Sequence, residues 1–452
     1  VHRAFGNRVI PKYAELLVVD DLPDVDRSRA LVELRELLSN QETKFQAVER
    51  ELMFACVDLT TSPSLDVRVN AALAIASLVL HNSFGGDELS TEAMLRAASE
   101  LLSDQDEQAV LAACAVFRNV TISNEGSLLL ASRIEIVGKI AAMINSVPLK
   151  SLSEPLLSSV LEILANITRV FEGAQTCADC TITSPVLGVL KKCVHYEAQT
   201  VHFAALIVLN AAVHDQGKRL AIHQGGVEVC LKVLSRVLAV EAPRTFQNCD
   251  MKLHEELTRC LVAAVMALST VDDAKPTIIE FGVETLVKCL HHDTLAVRTN
   301  AVVAINSACE APRGVAAFVD KLLPETDLLV QVLGAKSVPA LLPYLNNADI
   351  DENAKLDALA VLQALLRLSN TTTAHEVVQT LHLIDTLVDV AMAAATSKAV
   401  RDRAFSVLQI LVRDSDKYAR RVGKTLLKHS GSAHAFELVM NMDMATFLSN
   451  SA

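Results

Sequence analysis

The sequence contains no tryptophan, and aromatic residues make up only 4% of its 452 positions. Sandwiches and barrels fill their interiors with aromatic and β-branched side chains, so this scarcity weighs against an all-β fold. Glycine (15) and proline (12) are also sparse, too few for the many tight turns of an all-β chain. No uninterrupted apolar run reaches the ~18 residues that cross a bilayer. The best candidate, Phe203 to Val213, is broken by Asn210 and flanked by His202 and His214. A soluble chain without a membrane partner is expected.

Signatures of catalysis are missing too. Neither G-x-S-x-G nor G-x-G-x-x-G occurs. Gly423-Lys424-Thr425 has the tail of a phosphate loop, but Tyr418 stands where that loop needs glycine. The run from Asp349 through Asp351 and Asn353 starts like a calcium loop. It fails at Ala354, where glycine is required, and at Ala360, where a bidentate glutamate belongs. His375-Glu376 lacks the second histidine of a zinc-protease helix. No catalytic residue, cofactor or small-molecule substrate is therefore expected.

What is present is aliphatic. Hydrophobic residues reach 51%, and the bulk is Leu, Ala and Val, suited to helices packed through small and medium side chains. The ten cysteines are scattered, mostly inside apolar helical patterns (Cys114, Cys230, Cys260, Cys289, Cys309), which fits a reducing compartment. The chain begins at Val1 rather than Met, so further residues upstream are expected. Sequons at Asn119 and Asn166 lie within amphipathic helical patterns, where glycosylation is not expected, and a third occurs at Asn370. Net charge is −12, an unfavourable balance for binding nucleic acid. The charge is uneven. Residues 20–60 hold Asp20, Asp21, Asp24, Asp26, Glu33, Glu36, Glu49 and Glu51, whereas residues 398–429 hold nine Lys/Arg against three Asp. Within the latter, Arg413, Lys417, Arg420, Arg421, Lys424 and Lys428 recur at helical spacing, a candidate partner-binding face.

One phrase recurs along the chain: VNAALAIASLV (69–79), LAACAVFRNVT (111–121), LSSVLEILANIT (157–168), HFAALIVLNAA (202–212), LDALAVLQALL (356–366) and DRAFSVLQILV (402–412). Aligned, one column reads Ser77, Asn119, Asn166, Asn210, Ala267, Asn306, Gln363, Gln409, at intervals of 42, 47, 44, 57, 39, 57 and 46. A weaker copy puts Glu36 there. Shorter helical segments fall between, several opened by Gly or Pro. A period in the forties with a short, a medium and a long helix per unit indicates stacked helical repeats, in which no unit buries its apolar faces alone. The three-helix unit and the A-L-x-x-L-x-N-like third helix resemble the armadillo family. The expected fold is all-α: an armadillo-repeat (HEAT-like) right-handed superhelical solenoid of about eight to nine repeats. Residues 1–26 lead into the first repeat, 27–429 form the solenoid with longer insertions near 238–257 and 322–333, and 430–452 form a C-terminal capping helix or tail.

That resemblance implies that Asn119, Asn166, Asn210 and Asn306 line a concave groove and meet either a neighbouring repeat or a partner. Nuclear-import adaptors share the Asn ladder but place Trp one turn before each Asn, where this chain has Ala115, Glu162, Leu206 and Val302. Two further stretches are more specific. AFGNRVIPKYAELL (4–17) with RSRALVELRELLSNQETKFQAV (27–48), and VRTNAVVAINSACEAPRGVAAFV (297–319) with its Ala311-Pro312-x-Gly314 turn, resemble the radial spoke head 14 homologue family, armadillo subunits of the ciliary radial spoke. The resemblance implies a non-catalytic scaffold in the axoneme of motile cilia or flagella, whose partners are other spoke and axonemal proteins. A soluble armadillo adaptor that binds an extended peptide along the Asn column is the alternative.

One cluster has metal-ligand chemistry: Cys177 and Cys180 at C-x-x-C spacing, with Cys193 and His195 downstream. A single C-x-x-C is weak, and Cys193 continues the apolar side of its helix. No metal site is expected. Purified protein should contain no stoichiometric zinc by elemental analysis, and a chelator should leave its helicity unchanged; bound zinc with loss of helix on chelation overturns this.

Overall fold

The computed structural model describes residues 9–19, 21–80, 87–145, 151–239, 242–347, 349–368, 382–393, 396–414 and 416–430. Residues 4–8 of the N-terminal phrase, Asn370, His375 and the expected C-terminal cap beyond residue 430 lie outside these. Every regular element among the described residues is a helix. The chain divides into two compact units, residues 1–268 and 269–452.

Each repeat ends in a long helix. These run Asp24–Leu37, Leu65–Val79, Glu107–Val120, Glu154–Ile167, Ala198–Ala211, Met251–Ser269, Leu295–Ala308, Glu352–Leu368 and Lys398–Asp414. Two shorter helices precede most of them, for example Asn124–Ala131 and Ile134–Asn145 before Glu154–Ile167. This three-helix unit is the armadillo form of helical repeat.

In the first unit the long helices pack in series: Leu65–Val79 lies between Asp24–Leu37 and Glu107–Val120, and Glu154–Ile167 between Glu107–Val120 and Ala198–Ala211. A helix flanked in this way is buried on several sides, and its composition follows. Glu107–Val120 buries Ala109, Val110, Ala112, Ala113, Cys114, Val116, Phe117 and Val120. Its small residues admit close neighbours, and an apolar surface nearly all round is what an interior helix needs. The first helices are covered on one side only, so Phe171–Asp179 buries just Gly173, Ala174 and Cys177. Helix starts are set locally. Asn40, Asp87, Asp106, Ser123 and Ser153 each accept a backbone N–H from the first turn they cap.

Polar contacts stitch successive repeats at both ends of the long helices. At the N-terminal end, the Glu154 carboxylate accepts from the backbone N–H of Glu197 (2.9 Å) and from the Thr200 hydroxyl. Glu154 therefore does for helix Ala198–Ala211 what a capping side chain of its own would do, and places negative charge at its positive end. Ser153 donates to Glu107 one repeat earlier. Arg68 donates to Ser62 O and Pro63 O and pairs with Asp104 at 2.9 Å. In the second unit Arg298 closes the same turn, donating to His292 O and Asp293 O.

A tight hinge follows the long helices that end at Ile167, Ala211 and Ala308. A Cβ at Gly173, Gly217 or Gly314 would lie 2.0–2.2 Å from the carbonyl oxygen of Ile167, Ala211 or Ala308. Those residues end their long helices, six positions earlier in each case. Only glycine lets the new helix start that close. Gly314, part of the family-like turn, is thus a steric requirement that other repeats of this chain share.

The described residues of the insertions near 238–257 and 322–333 are largely helical. Arg244–Gln247 is a short helix with Phe246 buried, residues from Met251 onward extend the next long helix, and Thr326–Leu333 buries Leu329, Val332 and Leu333. Helix extension adds core here because apolar residues recur at helical spacing through both segments. The near-continuous helical stretch Thr326–Asn346 is long and apolar enough, by length and composition alone, to cross a membrane. Gly334 breaks it at φ 51°, ψ −139°. The pieces on either side have 8 and 9 residues, about 13 Å each against a ~30 Å bilayer core, and bury Leu329, Val332, Val338 and Leu341. They are core helices of the second unit.

Gly217→Ala should destabilise the protein by ~1–3 kcal/mol, because the new methyl meets backbone rather than a movable side chain. Gly138 lies inside helix Ile134–Asn145, and nothing comes within 4 Å of the place an added methyl would occupy. Gly138→Ala should therefore stabilise by up to ~1 kcal/mol. Urea unfolding of the two variants checks the opposite signs.

Candidate functional site: the long-helix face of the first unit

Asn119, Asn166 and Asn210 are all half-exposed on successive long helices of the first unit. Each turns its amide N–H towards the end of the preceding long helix. Asn119 Nδ2 donates to Ala76 O at 2.8 Å. Asn166 Nδ2 donates to Thr121 Oγ1 at 3.3 Å. Asn210 Nδ2 donates to Ala165 O at 3.1 Å and Thr168 Oγ1 at 3.2 Å. Carbonyls of a last helical turn lack partners within the helix, and here the next repeat supplies them. Thr121 and Thr168, which complete the two sequons, accept these bonds while their own hydroxyls donate to Phe117 O and Ala165 O. Arg169 adds donations to Thr121 O and Ile122 O. The N-x-T phrase is a stitching device.

The rest of the column behaves differently. Asn306, in the second unit, donates to Val302 O of its own helix. Ser77 likewise donates to Leu73 O. Gln363 accepts from Arg403 of the following repeat at 2.6 Å. The amides of Asn119, Asn166 and Asn210 use a donor for stitching, and among the described residues their Oδ1 acceptors have no partner. A row of acceptors therefore faces outward at repeat spacing.

Beside this row lies an open groove of about 460 Å³ lined by Arg118, Glu154, Ser158, Glu162, Gln199 and Phe203. It adjoins a second, of about 680 Å³, through Glu154, Glu197 and Gln199, which Arg244 and Asn248 of the insertion help to wall. Burial raises the Glu162 carboxyl above its ordinary value, opposed by the Arg118 guanidinium at 3.7 Å. His202, on the same face, is held below its ordinary value by burial, with Glu256 opposing and Arg259 reinforcing, and its Nδ1 has no partner among the described residues. The lining side chains of these grooves offer hydrogen bonding and charge. Sequence reasoning missed the roles of Glu154 and both threonines; for the threonines, recurrence two residues after the column asparagine in consecutive repeats was the available signal.

The cysteine cluster does not assemble. Cys177 and Cys193 are buried and Cys180 is half-buried. Burial pushes the Cys177 thiol up, and burial followed by the neighbouring Asp179 charge pushes Cys180 up. Arg236 donates towards Cys193 Sγ at 3.4 Å, a cation where a metal would need to be. No group of three or more ligand-type side chains comes together among the described residues.

In the second unit, Lys417, Arg420, Arg421 and Lys424 are exposed on helix Asp416–Ser430 and Arg413 at the end of Lys398–Asp414. They are not equivalent. Arg421 lies 3.7 Å from Asp385, and Arg413 has an interaction partner within the chain.

No family model matches the sequence, and no curated protein sequence matches it. Among solved structures, a crystal structure of an engineered protein aligns over 96% of this chain and 97% of its own, with a TM-score of 0.57 and 18% identity. A designed armadillo repeat protein aligns over 57% of this chain and 99% of its own, at TM-score 0.47 and 21% identity. The first of these is a likeness of fold across nearly the whole chain.

Asn210→Ala should cost ~1–2 kcal/mol, since it leaves Ala165 O and Thr168 without the donor, whereas Asn306→Ala should cost less than ~0.5 kcal/mol. Thermal unfolding of the two variants side by side tests that order.

Proposed function

We propose that this chain is a non-catalytic, protein-binding scaffold, and that its setting is the radial spoke of motile cilia or flagella. The observation that carries the scaffold reading is the face of the first unit. Carbonyls in its helix ends are bound between repeats, which makes it stiff, while the Oδ1 atoms of Asn119, Asn166 and Asn210 and the exposed Glu197 carboxylate remain open to a partner, beside the half-buried Arg118–Glu162 pair. A stiff surface loses little conformational freedom on binding, which favours a lasting structural contact. The spoke setting rests on the resemblance of residues 4–17 and 27–48. The later stretch adds less, because Gly314 is required by a hinge that Gly173 and Gly217 share. The partners proposed are other spoke and axonemal proteins, at the axoneme.

A soluble adaptor holding one extended peptide is the competing reading, favoured by the open groove beside the Asn column. Fractionation separates them. A spoke subunit remains with axonemes through detergent and moderate salt; recovery in the soluble pool instead supports the adaptor. Replacing Glu162 and Glu197 by Gln should weaken capture of the natural partner, measured by pull-down, and leave thermal stability within ~0.5 kcal/mol.

A further inference from the structure

The geometry points to a second docking surface, on helix Asp416–Ser430, that takes an acidic helical segment of a partner protein. This helix buries Tyr418, Val422, Thr425 and Leu426 against helices Leu383–Met392 and Lys398–Asp414. On its outer side Lys417, Arg420, Lys424 and Lys428 are exposed. Among the described residues none of these four has an ion pair or hydrogen-bond partner for its side chain, in contrast to Arg421, which faces Asp385, and to Arg413. The surface is therefore narrower than its composition implies: one stripe of four cations at i, i+3, i+7 and i+11.

The spacing selects the partner's form. At 1.5 Å per residue the cations follow one another every ~4.5–6 Å along the axis. Carboxylates at i, i+3 and i+4 on a second helix repeat at the same interval, whereas alternate residues of an extended strand come every ~6.6 Å and drift out of register. Helices packed 8–10 Å apart also lie within reach of Lys and Arg side chains. Other polyanions fit less well. Among the residues of this helix whose side chains are described, none is an exposed large hydrophobic, and the exposed stripe itself consists of cations rather than the apolar face that inserts into a bilayer. The stripe has no aromatic side chain for base stacking, and the chain's net charge of −12 opposes a nucleic acid at longer range. The chain's own following residues, 431–452, carry only Glu437 and Asp443 as acids, which directs the stripe to another molecule.

The inference stands independently of the spoke setting and is tested on the purified full chain. Two labelled probe peptides of identical composition on an Ala/Gln background carry Glu either at i, i+3, i+7, i+11 or at alternate positions. By fluorescence anisotropy at ~0.1 M salt, the first should bind about tenfold tighter, with the preference fading as salt screens the pairs. Changing Lys417, Arg420, Lys424 and Lys428 together to Glu should abolish that binding with helicity unchanged by circular dichroism. Should that variant misfold, the four-fold Gln variant, which removes charge without repulsion, must still lose the preference. Equal binding of the two peptides, undiminished binding by the Gln variant, or tighter binding of a single-stranded oligonucleotide or of phosphatidylserine vesicles overturns the proposal.

Discussion

A helix that ends inside a stack leaves carbonyls in its last turn that water reaches poorly, and the architecture of the first unit depends on how those groups are satisfied. The answer is intermolecular in style although it occurs within one chain: each repeat is completed by the next. Asn119 serves Ala76 O, Asn166 serves Thr121, and Asn210 serves Ala165 O and Thr168. Glu154 performs the converse service at the opposite ends, giving helix Ala198–Ala211 an acceptor for its first turn. Removal of one such group affects two repeats, so stability here is a property of neighbouring pairs.

The same bonds shape the surface. Because the stitching uses amide donors, the acceptors of the same side chains point outward, and the face that holds the repeats together also presents a fixed row of polar atoms. Where repeat spacing stretches, the added residues are folded into helix, as at Met251–Ser269 and Thr326–Leu333, so the insertion near 238–257 raises one wall of a groove. The glycine hinges complete this economy of space. At Gly173, Gly217 and Gly314 any added side chain would strike the last carbonyl of the helix before, so the next helix starts close against it.

Much of this was legible in the sequence. The scarcity of aromatics and turn residues weighed against β architectures, and the recurrence of one phrase revealed the repeats. The site was legible only in part. The Asn column could be aligned, but Glu154 resembles any acidic residue in a first helical turn, and nothing near Arg421 in the chain announces that Asp385 will meet it. A charged run read from sequence therefore included Arg413 and Arg421 along with the four outward cations of the same helical face.

Two asparagines of the same column show where the division lies. The sequence alone determined that Asn166 and Asn306 sit near the ends of amphipathic helices, because helical periodicity, caps and apolar faces depend on residues within about four positions. It could not determine that Asn166 would reach Thr121 of the repeat before while Asn306 bonds Val302 of its own helix. For Asn166 the choice depends on how Glu154–Ile167 lies along Glu107–Val120, its neighbour within the first unit, and so on residues some forty positions away. Local sequence decides what a side chain can donate, and the distance to the next helix decides who receives it.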